Sequence, residues 1–251
     1  MPTQGHLSGS QRASFHDPLL DGTHLGGLWQ TCPLWEHLHN PNILFVIEEN
    51  WQSYDAAATD GDYTLTQSVT GAAAISTTTP GVLELDSNST TATQGANLQR
   101  LKACIIPAAG KHIWAEFKVK VVDTFDKVEM FVGLSASDTA IIASGVLHSD
   151  NNIGWYCDTD NGVLLFSGEK AGVPAAKAAA TIAEDTWIRL GFYVDGVTSI
   201  QQYINGVAVA GGTIPTANIP IVAVYPSFVC QSAGTNDPIM HIGPYRIAQL
   251  R

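Results

Sequence analysis

The sequence predicts an all-β domain in which antiparallel sheets pack as a sandwich, and three observations carry that expectation. Apolar and polar residues alternate with a period of two through run after run, as in "IWAEFKVKVVD", where Ala115, Phe117, Val119 and Val121 share one face and Glu116, Lys118 and Lys120 the other. The runs are separated by turn dipeptides such as Asp195-Gly196, Asn205-Gly206 and Asn161-Gly162, residue pairs that accept the positive φ of tight hairpins. Helical periodicity is almost absent. A chain of 251 residues with 45% hydrophobic content is long enough to bury one large core.

The first 42 residues stand apart. They carry His6, His16, His24, His37 and His39, five of the eight histidines, and no sustained period. Their large apolar residues come singly or in pairs, Phe15, Leu19, Leu20, Leu28, Trp29, Leu34 and Trp35. Such spacing suits an extended arm that anchors on another surface, so residues 1–42 are expected to be an arm and residues 43–251 the sandwich. A helical turn is expected at "PLWEHLHN", with Pro33 at its start. Isolated aromatic groups on an arm must be covered by something, which makes Phe15, Leu19, Leu20, Trp29 and Trp35 the expected partner-binding residues.

From Ile43 onward each segment reads as a strand. "ILFVIEENW" is an apolar run, and residues 59–99 hold short Thr-rich strands between Gly and Pro turns. "KVEMFVGLSA" is the expected neighbour of "IWAEFKVKVVD", and "NIGWYCDTDNGVLLFSG" is a hairpin turning at Asn161-Gly162. "AAKAAATIAED" is the one stretch with helical character. Ile188, Leu190, Phe192 and Val194 then alternate with Arg189, Gly191 and Tyr193, and "IVAVYPSFV" and "MHIGPYRIAQL" close the sandwich.

Composition excludes several functions. A net charge of −11 and a pI near 4.9 argue against binding the phosphate backbone of nucleic acid. No apolar run reaches bilayer length, and the N-terminus lacks the apolar core of a secretory signal, so neither membrane nor secretory targeting is expected and synthesis in a host cytoplasm is. Cys32, Cys104, Cys157 and Cys230 are too widely spaced for a zinc site or a disulfide framework, and are expected to be mostly buried thiols.

The stretch "DTWIRLGFYVDG" followed by "IQQYINGVAVAG" resembles the hallmark of the concanavalin A-like (laminin-G-like) jelly-roll superfamily. Trp187, Asp195, Gly196, Tyr203, Asn205 and Gly206 carry the resemblance, which directly covers about a tenth of the chain. It implies a jelly-roll β-sandwich shared by lectins, glucanases and virion proteins, a fold that does not decide function. Tailed-phage decoration, or cement, proteins share the fold with an N-terminal arm, a reduced interior and an acidic surface. On that likeness the first expectation is a structural virion protein that binds a major capsid protein on the capsid surface and forms a homo-oligomer. The alternative is a carbohydrate-binding or receptor-binding fibre domain that contacts surface glycans.

Enzyme chemistry is not expected. A laminarinase-type glucanase places two catalytic glutamates in an E-x-D-x-x-E strand, whereas "ELDSNS" offers Glu84, Asp86 and then Ser89, so no acid/base partner follows. No G-x-S-x-G elbow is present, and His112, His148 and His241 lack a motif-level nucleophile. His37 and His39 find no third ligand at usable spacing, so no metal or cofactor is expected. "DTDNG" opens like a calcium loop but gives way to "VLLFSG", which favours a polar hairpin tip. Trp155, Asp158, Asp160 and Asn161 are the candidate glycan or calcium contacts, with the alternation placing one of Trp155 and Tyr156 in the core.

Overall fold

The computed structural model describes residues 27–34, 40–54, 61–102, 104–122, 128–158, 162–181, 183–210 and 213–251. Its strands in chain order are β1 (Leu44–Glu49), β2 (Thr64–Gln67), β3 (Ala72–Ile75), β4 (Leu83–Asp86), β5 (Gly95–Gln99), β6 (Ile113–Val122), β7 (Val128–Ser135), β8 (Ile142–Ala143) and β9 (Val146–Leu147). They continue with β10 (Asn151–Cys157), β11 (Val163–Lys170), β12 (Val173–Thr181), β13 (Ile188–Asp195), β14 (Ser199–Ile204), β15 (Val207–Ala208), β16 (Ile214–Pro215), β17 (Tyr225–Ser232) and β18 (Ile239–Leu250). The main path of the nine-stranded sheet runs β15-β14-β13-β6-β18-β4-β3, with β1 on β18 and β16 on β14. The facing seven-stranded sheet runs β12-β11-β10-β7-β17-β5-β2.

Every pairing in these sheets is antiparallel, which makes the architecture the expected sandwich. β18 shows how the long central strand organises its neighbours. Its register on β6 shifts between Ile242 and Tyr245, and on its other edge Ile239–Ile242 pairs β4 while Tyr245–Leu250 pairs β1.

The core lies between the sheets and follows the period of two. Ala115, Phe117, Val119 and Val121 of β6 meet Met130, Val132 and Leu134 of β7, Trp155 of β10, Phe166 of β11 and Phe228 of β17 within one buried cluster. In β13, Ile188, Leu190, Phe192 and Val194 point inward as the alternation requires. Asn205 and Gly206 have φ of 51° and 79°, the positive values a two-residue type I′ hairpin needs between β14 and β15. Asp195-Gly196 opens a longer turn, in which the Thr198 N–H donates to the Asp195 carbonyl.

One element differs from its sequence reading. "AAKAAATIAED" is not a helix: Val173–Thr181 is the strand β12, antiparallel to β11. Alanine favours helix, but a short isolated helix has little stability in water. Here Ala171 and Gly172, both at positive φ, launch a hairpin whose strand register captures the segment. The "PLWEHLHN" turn lies largely outside the described residues.

The described part of the arm is packed against its own domain. Leu28–Thr31 forms a 3₁₀ turn on the outer face of the nine-stranded sheet, where Leu28 and Trp29 cluster with Leu44, Trp114 and Ala248. The Trp114 indole N–H donates to Thr31 Oγ1 at 3.1 Å, and the Arg246 guanidinium lies 5.6 Å from the Trp29 ring centre. No helix among the described residues is long and apolar enough to cross a membrane.

Candidate functional site on the outer face of the seven-stranded sheet

All eight residues of β7 are buried, which alternation alone does not explain. The inward set packs in the core, so the outward set, Glu129, Phe131, Gly133 and Ser135, must be covered by something else. The cover is the segment 136–150, which crosses this face and folds into the β8–β9 hairpin. Ser144 and Gly145 form its two-residue turn with φ of 52° and 77°. Ile141 and Ile142 pack on Phe131, Tyr156 and Val229, making a small second core outside the sheet.

Amide side chains of the sheet fasten this crossing. Asn97 Nδ2 donates to the Asp138 carbonyl at 2.8 Å, and Gln99 Nε2 donates to the Ala136 carbonyl at 3.0 Å. The Asp138 N–H donates back to Gln99 Oε1 at 2.9 Å, and Gln231 Nε2 reaches the Ile142 carbonyl at 3.4 Å. At the far end Asn152 Nδ2 donates to the Ser149 carbonyl at 2.8 Å. These bonds satisfy backbone groups that burial would otherwise leave unpaired.

Beside and beneath the hairpin sits a strip of acidic and hydroxyl groups. β10 presents Asn152, Tyr156 and then Asp158 outward, and β11 presents Ser167 and Glu169, with Asn152 opposite Glu169 in register. Asn152 Nδ2 also donates to Glu169 Oε2 at 3.1 Å, while Asn152 Oδ1 and Ser167 Oγ are buried without a partner. Burial pushes the Glu169 carboxyl above its ordinary range, against the opposing Asn152 hydrogen bond. Burial, reinforced by the charges of Asp158 and Glu169, lifts the Tyr156 phenol to about 12, so it stays a proton donor. Burial likewise raises half-buried Asp158, whose Oδ2 accepts the Leu147 N–H at 3.5 Å. Glu129, only 4% exposed, is lifted to about 7 by burial and then by the Asp158 charge, and its Oε2 has no hydrogen-bond partner.

Of the residues singled out from sequence, Asp158 belongs to this strip, and Asp160 and Asn161 lie outside the described residues. Trp155 is a correction: it is fully buried, edge-on to Phe166, with its indole N–H donating to the Gly191 carbonyl at 3.3 Å. Being inward in β10, it offers no stacking platform for a sugar. Trp29 is a second correction, because its own nine-stranded sheet covers it and leaves 7% exposed. Phe15, Leu19, Leu20 and Trp35 lie outside the described residues. Glu84 and Asp86 sit on β4, in the other sheet, where Glu84 Oε1 is 3.7 Å from His241 Nε2 and Asp86 Oδ1 accepts the Asn88 N–H at 2.7 Å. Cys157 and Cys230 are buried, Cys32 is half-buried and Cys104 is exposed.

Glu129 and Glu169 were missed in sequence. Glu129 had a readable signal, a lone carboxylate inside the apolar run "KVEMFVG". Among the described residues no group of three or more His, Cys, Asp and Glu side chains converges as a metal cluster.

With this geometry in place, comparison with known proteins defines the class first. The architecture is the lectin-like, concanavalin A-like jelly roll. Peanut lectin superposes with a TM-score of 0.55 at 12% identity over 82% of this chain and 97% of its own. Arcelin-5, a lectin-like defence protein from Phaseolus vulgaris, gives 0.56 at 10% identity over 83% of this chain and 100% of its own. At such identities the likeness establishes the fold alone. The family is defined by sequence: residues 78–243 match the SO2946-like C-terminal domain model, and the chain belongs to that family. A protein of unknown function, SO2946 from Shewanella oneidensis MR-1, superposes with a TM-score of 0.56 at 14% identity over 83% of this chain and 87% of its own. No curated protein matches the chain in sequence.

Proposed function

We propose that this domain is a carbohydrate-binding module that contacts its ligand through the strip beside the β8–β9 hairpin and performs no hydrolysis. One observation carries the reading. In a lectin-like sandwich, Tyr156, Asp158 and Glu169 share the outward face of two paired strands beside the hairpin, with half-buried Asp158 open to solvent, while Asn152 and Ser167 lie fully buried beneath them. Sugars are recognised by fixed carboxylate, amide and hydroxyl groups that match their ring hydroxyls.

The expectation of no catalysis finds support in the same geometry. A glycoside hydrolase needs two carboxylates flanking an accessible bond. Glu129, the carboxyl lifted to about 7, lies under the hairpin at 4% exposure, out of reach of a glycosidic oxygen. The virion decoration reading rested on the arm as a partner-binding element, and its described part, Gly27–Leu34, is occupied by its own sheet. That leaves the capsid reading behind the glycan one.

The test is a glycan array followed by calorimetry on the best ligand. Wild-type protein should retain a defined glycan set, and Glu169→Ala should weaken binding by about 1–2 kcal/mol as one charge-assisted hydrogen bond is lost. A folded protein that retains no glycan, neutral or acidic, would overturn the reading.

A further inference from the structure

We propose that the outer face of the nine-stranded sheet carries a separate saccharide site, a flat platform of His112 and Tyr193 with Asp195, Gln201 and Tyr203 at its rim, whose ligand is a neutral oligosaccharide. Strand register assembles the five residues. β6 and β13 pair with Ile113 opposite Val194, so the next pair outward sets His112 opposite Asp195. On its other edge β13 pairs with β14, which places Gln201 opposite Tyr193 and Tyr203 opposite Gly191. The alternation that buries Ile113, Phe192, Val194 and Gln202 turns all five side chains to the outer face. Two of the rings form one surface. The planes of His112 and Tyr193 are within 8° of parallel, with centres 5.8 Å apart. The Tyr193 hydroxyl and His112 Nδ1, atoms that lie in those planes, are 2.8 Å apart. Van der Waals contact holds face-to-face rings at least about 3.5 Å apart, so planes this close belong to rings lying side by side as a tile. Trp114, tilted 42° to Tyr193 and buried against the arm segment, backs the tile.

The chemistry of the rim selects the ligand. A flat aromatic surface matches the C–H face of a pyranose ring, and a small number of fixed polar groups beside it supply orientation. Asp195 Oδ1 lies 3.0 Å from His112 Nδ1, and the carboxylate is 43% exposed, so it is held in place yet reachable from solvent. Its Oδ2 meets no donor among the described residues. Gln201 Nε2 donates to the Gln202 and Val209 carbonyls at 2.9 and 3.2 Å, which fixes the amide and leaves Oε1 as an acceptor. Burial raises the half-buried Tyr203 phenol above its ordinary value, so it stays a donor at neutral pH. A carboxylate at the rim of a chain with net charge −11 accepts hydroxyl protons and repels acidic sugars, which makes the neutral saccharide the fitting class. The platform is on the sheet opposite the strip beside the β8–β9 hairpin and stands independently of the reading given to that strip.

The experiment titrates the full chain with cello-, xylo-, malto- and chito-oligosaccharides and follows side-chain resonances by NMR. At least one of these probes should shift the ring signals of His112 and Tyr193, in wild type and in Glu169→Ala alike. Asp195→Ala and Tyr203→Ala should each weaken the binding read at the Tyr193 ring at least roughly tenfold, with circular dichroism confirming the fold. Tyr203→Phe, which keeps the ring, should weaken it less than Tyr203→Ala does. Platform rings that stay in place at millimolar concentrations of every probe would overturn the proposal, and if Tyr156 moves in the same titration the strip reading survives alone. Undiminished binding in both folded alanine variants would overturn it as well. Shifts at His112 and Tyr193 with Tyr156 unmoved would sustain this site and sink the strip reading.

Discussion

Leu28 fills the space that Gly191 leaves open on the outer face of β13: a Cβ at position 191 would come within 2.7 Å of Leu28 Cδ2 and 3.0 Å of the Ala115 carbonyl. Glycine at 191 is therefore a docking notch between the inward-facing Leu190 and Phe192, and the arm segment is keyed to it. Gly191→Ala should push Leu28 out and cost about 1–3 kcal/mol. Limited proteolysis should then cut near residues 27–34 far faster than in wild type. Unchanged cleavage and unchanged stability would show that the segment is not held by this notch.

Gln99 is the strongest fastening of the crossing segment, since one side chain both donates to Ala136 and accepts from Asp138. Gln99→Met keeps the length but leaves the Asp138 N–H unanswered and the Ala136 carbonyl with only the Ser135 Oγ donor at 3.1 Å. The expected cost is about 1–3 kcal/mol. Amide exchange should quicken through residues 136–142 and stay slow in β6. Uniform loss of protection across both regions would mean that the crossing segment unfolds only with the whole domain.

His241 gives the domain an acid sensitivity of known sign. Burial holds its imidazole below the ordinary value of 6.5, Lys120 adds to the effect, and Glu84 at 3.7 Å opposes it. The unfolded chain therefore binds the proton more readily than the folded one. Stability from this group is complete above about 6.5 and is lost as pH falls through the folded value. The unfolding free energy of wild type relative to His241→Gln should accordingly decline below pH 6.5 in chemical denaturation. A difference independent of pH between 5 and 8 would remove His241 as the source.

Much of the fold was legible because a period of two in a half-buried strand is a direct statement about faces. β6 and β13 could be read residue by residue, and the Asn205-Gly206 turn could be read from its backbone requirement. The reading failed where a tertiary contact overrode local signal. "AAKAAATIAED" carries helix-favouring alanines, yet β11 beside it and the Ala171-Gly172 turn make it a strand. The hairpin over β7 was illegible for another reason. "AIIASGVLHS" is short and its alternation incomplete, and what fixes it are amides from β5 and β17, distant in sequence. Asp158 was found because a carboxylate-rich turn stands out. Glu129 stands out locally as a lone carboxylate in an apolar run, but what that means comes from the cover above it, which is set by residues distant in sequence.

Trp155 and Tyr156 are neighbours in sequence that alternation sends to opposite faces of β10, and this separation gives the sharpest test of where the ligand binds. Trp155 is fully buried against Phe166, so Trp155→Phe should open a cavity and cost about 1–3 kcal/mol of stability. It should leave glycan affinity unchanged, since the lost ring faces the core. Tyr156 sits on the outward face among Asp158 and Glu169, and its phenol, lifted to about 12, remains a donor throughout neutral pH. Tyr156→Phe keeps the ring that packs against Ile141 and Ile142, so stability should change by less than about 1 kcal/mol. Its glycan affinity should fall by roughly tenfold for the loss of one hydrogen bond in a dry site. Denaturation and calorimetry on the two variants separate the effects. If Trp155→Phe weakens binding as much as Tyr156→Phe does, the strip acts only through the integrity of the fold, and the ligand contact lies on another face of the sandwich.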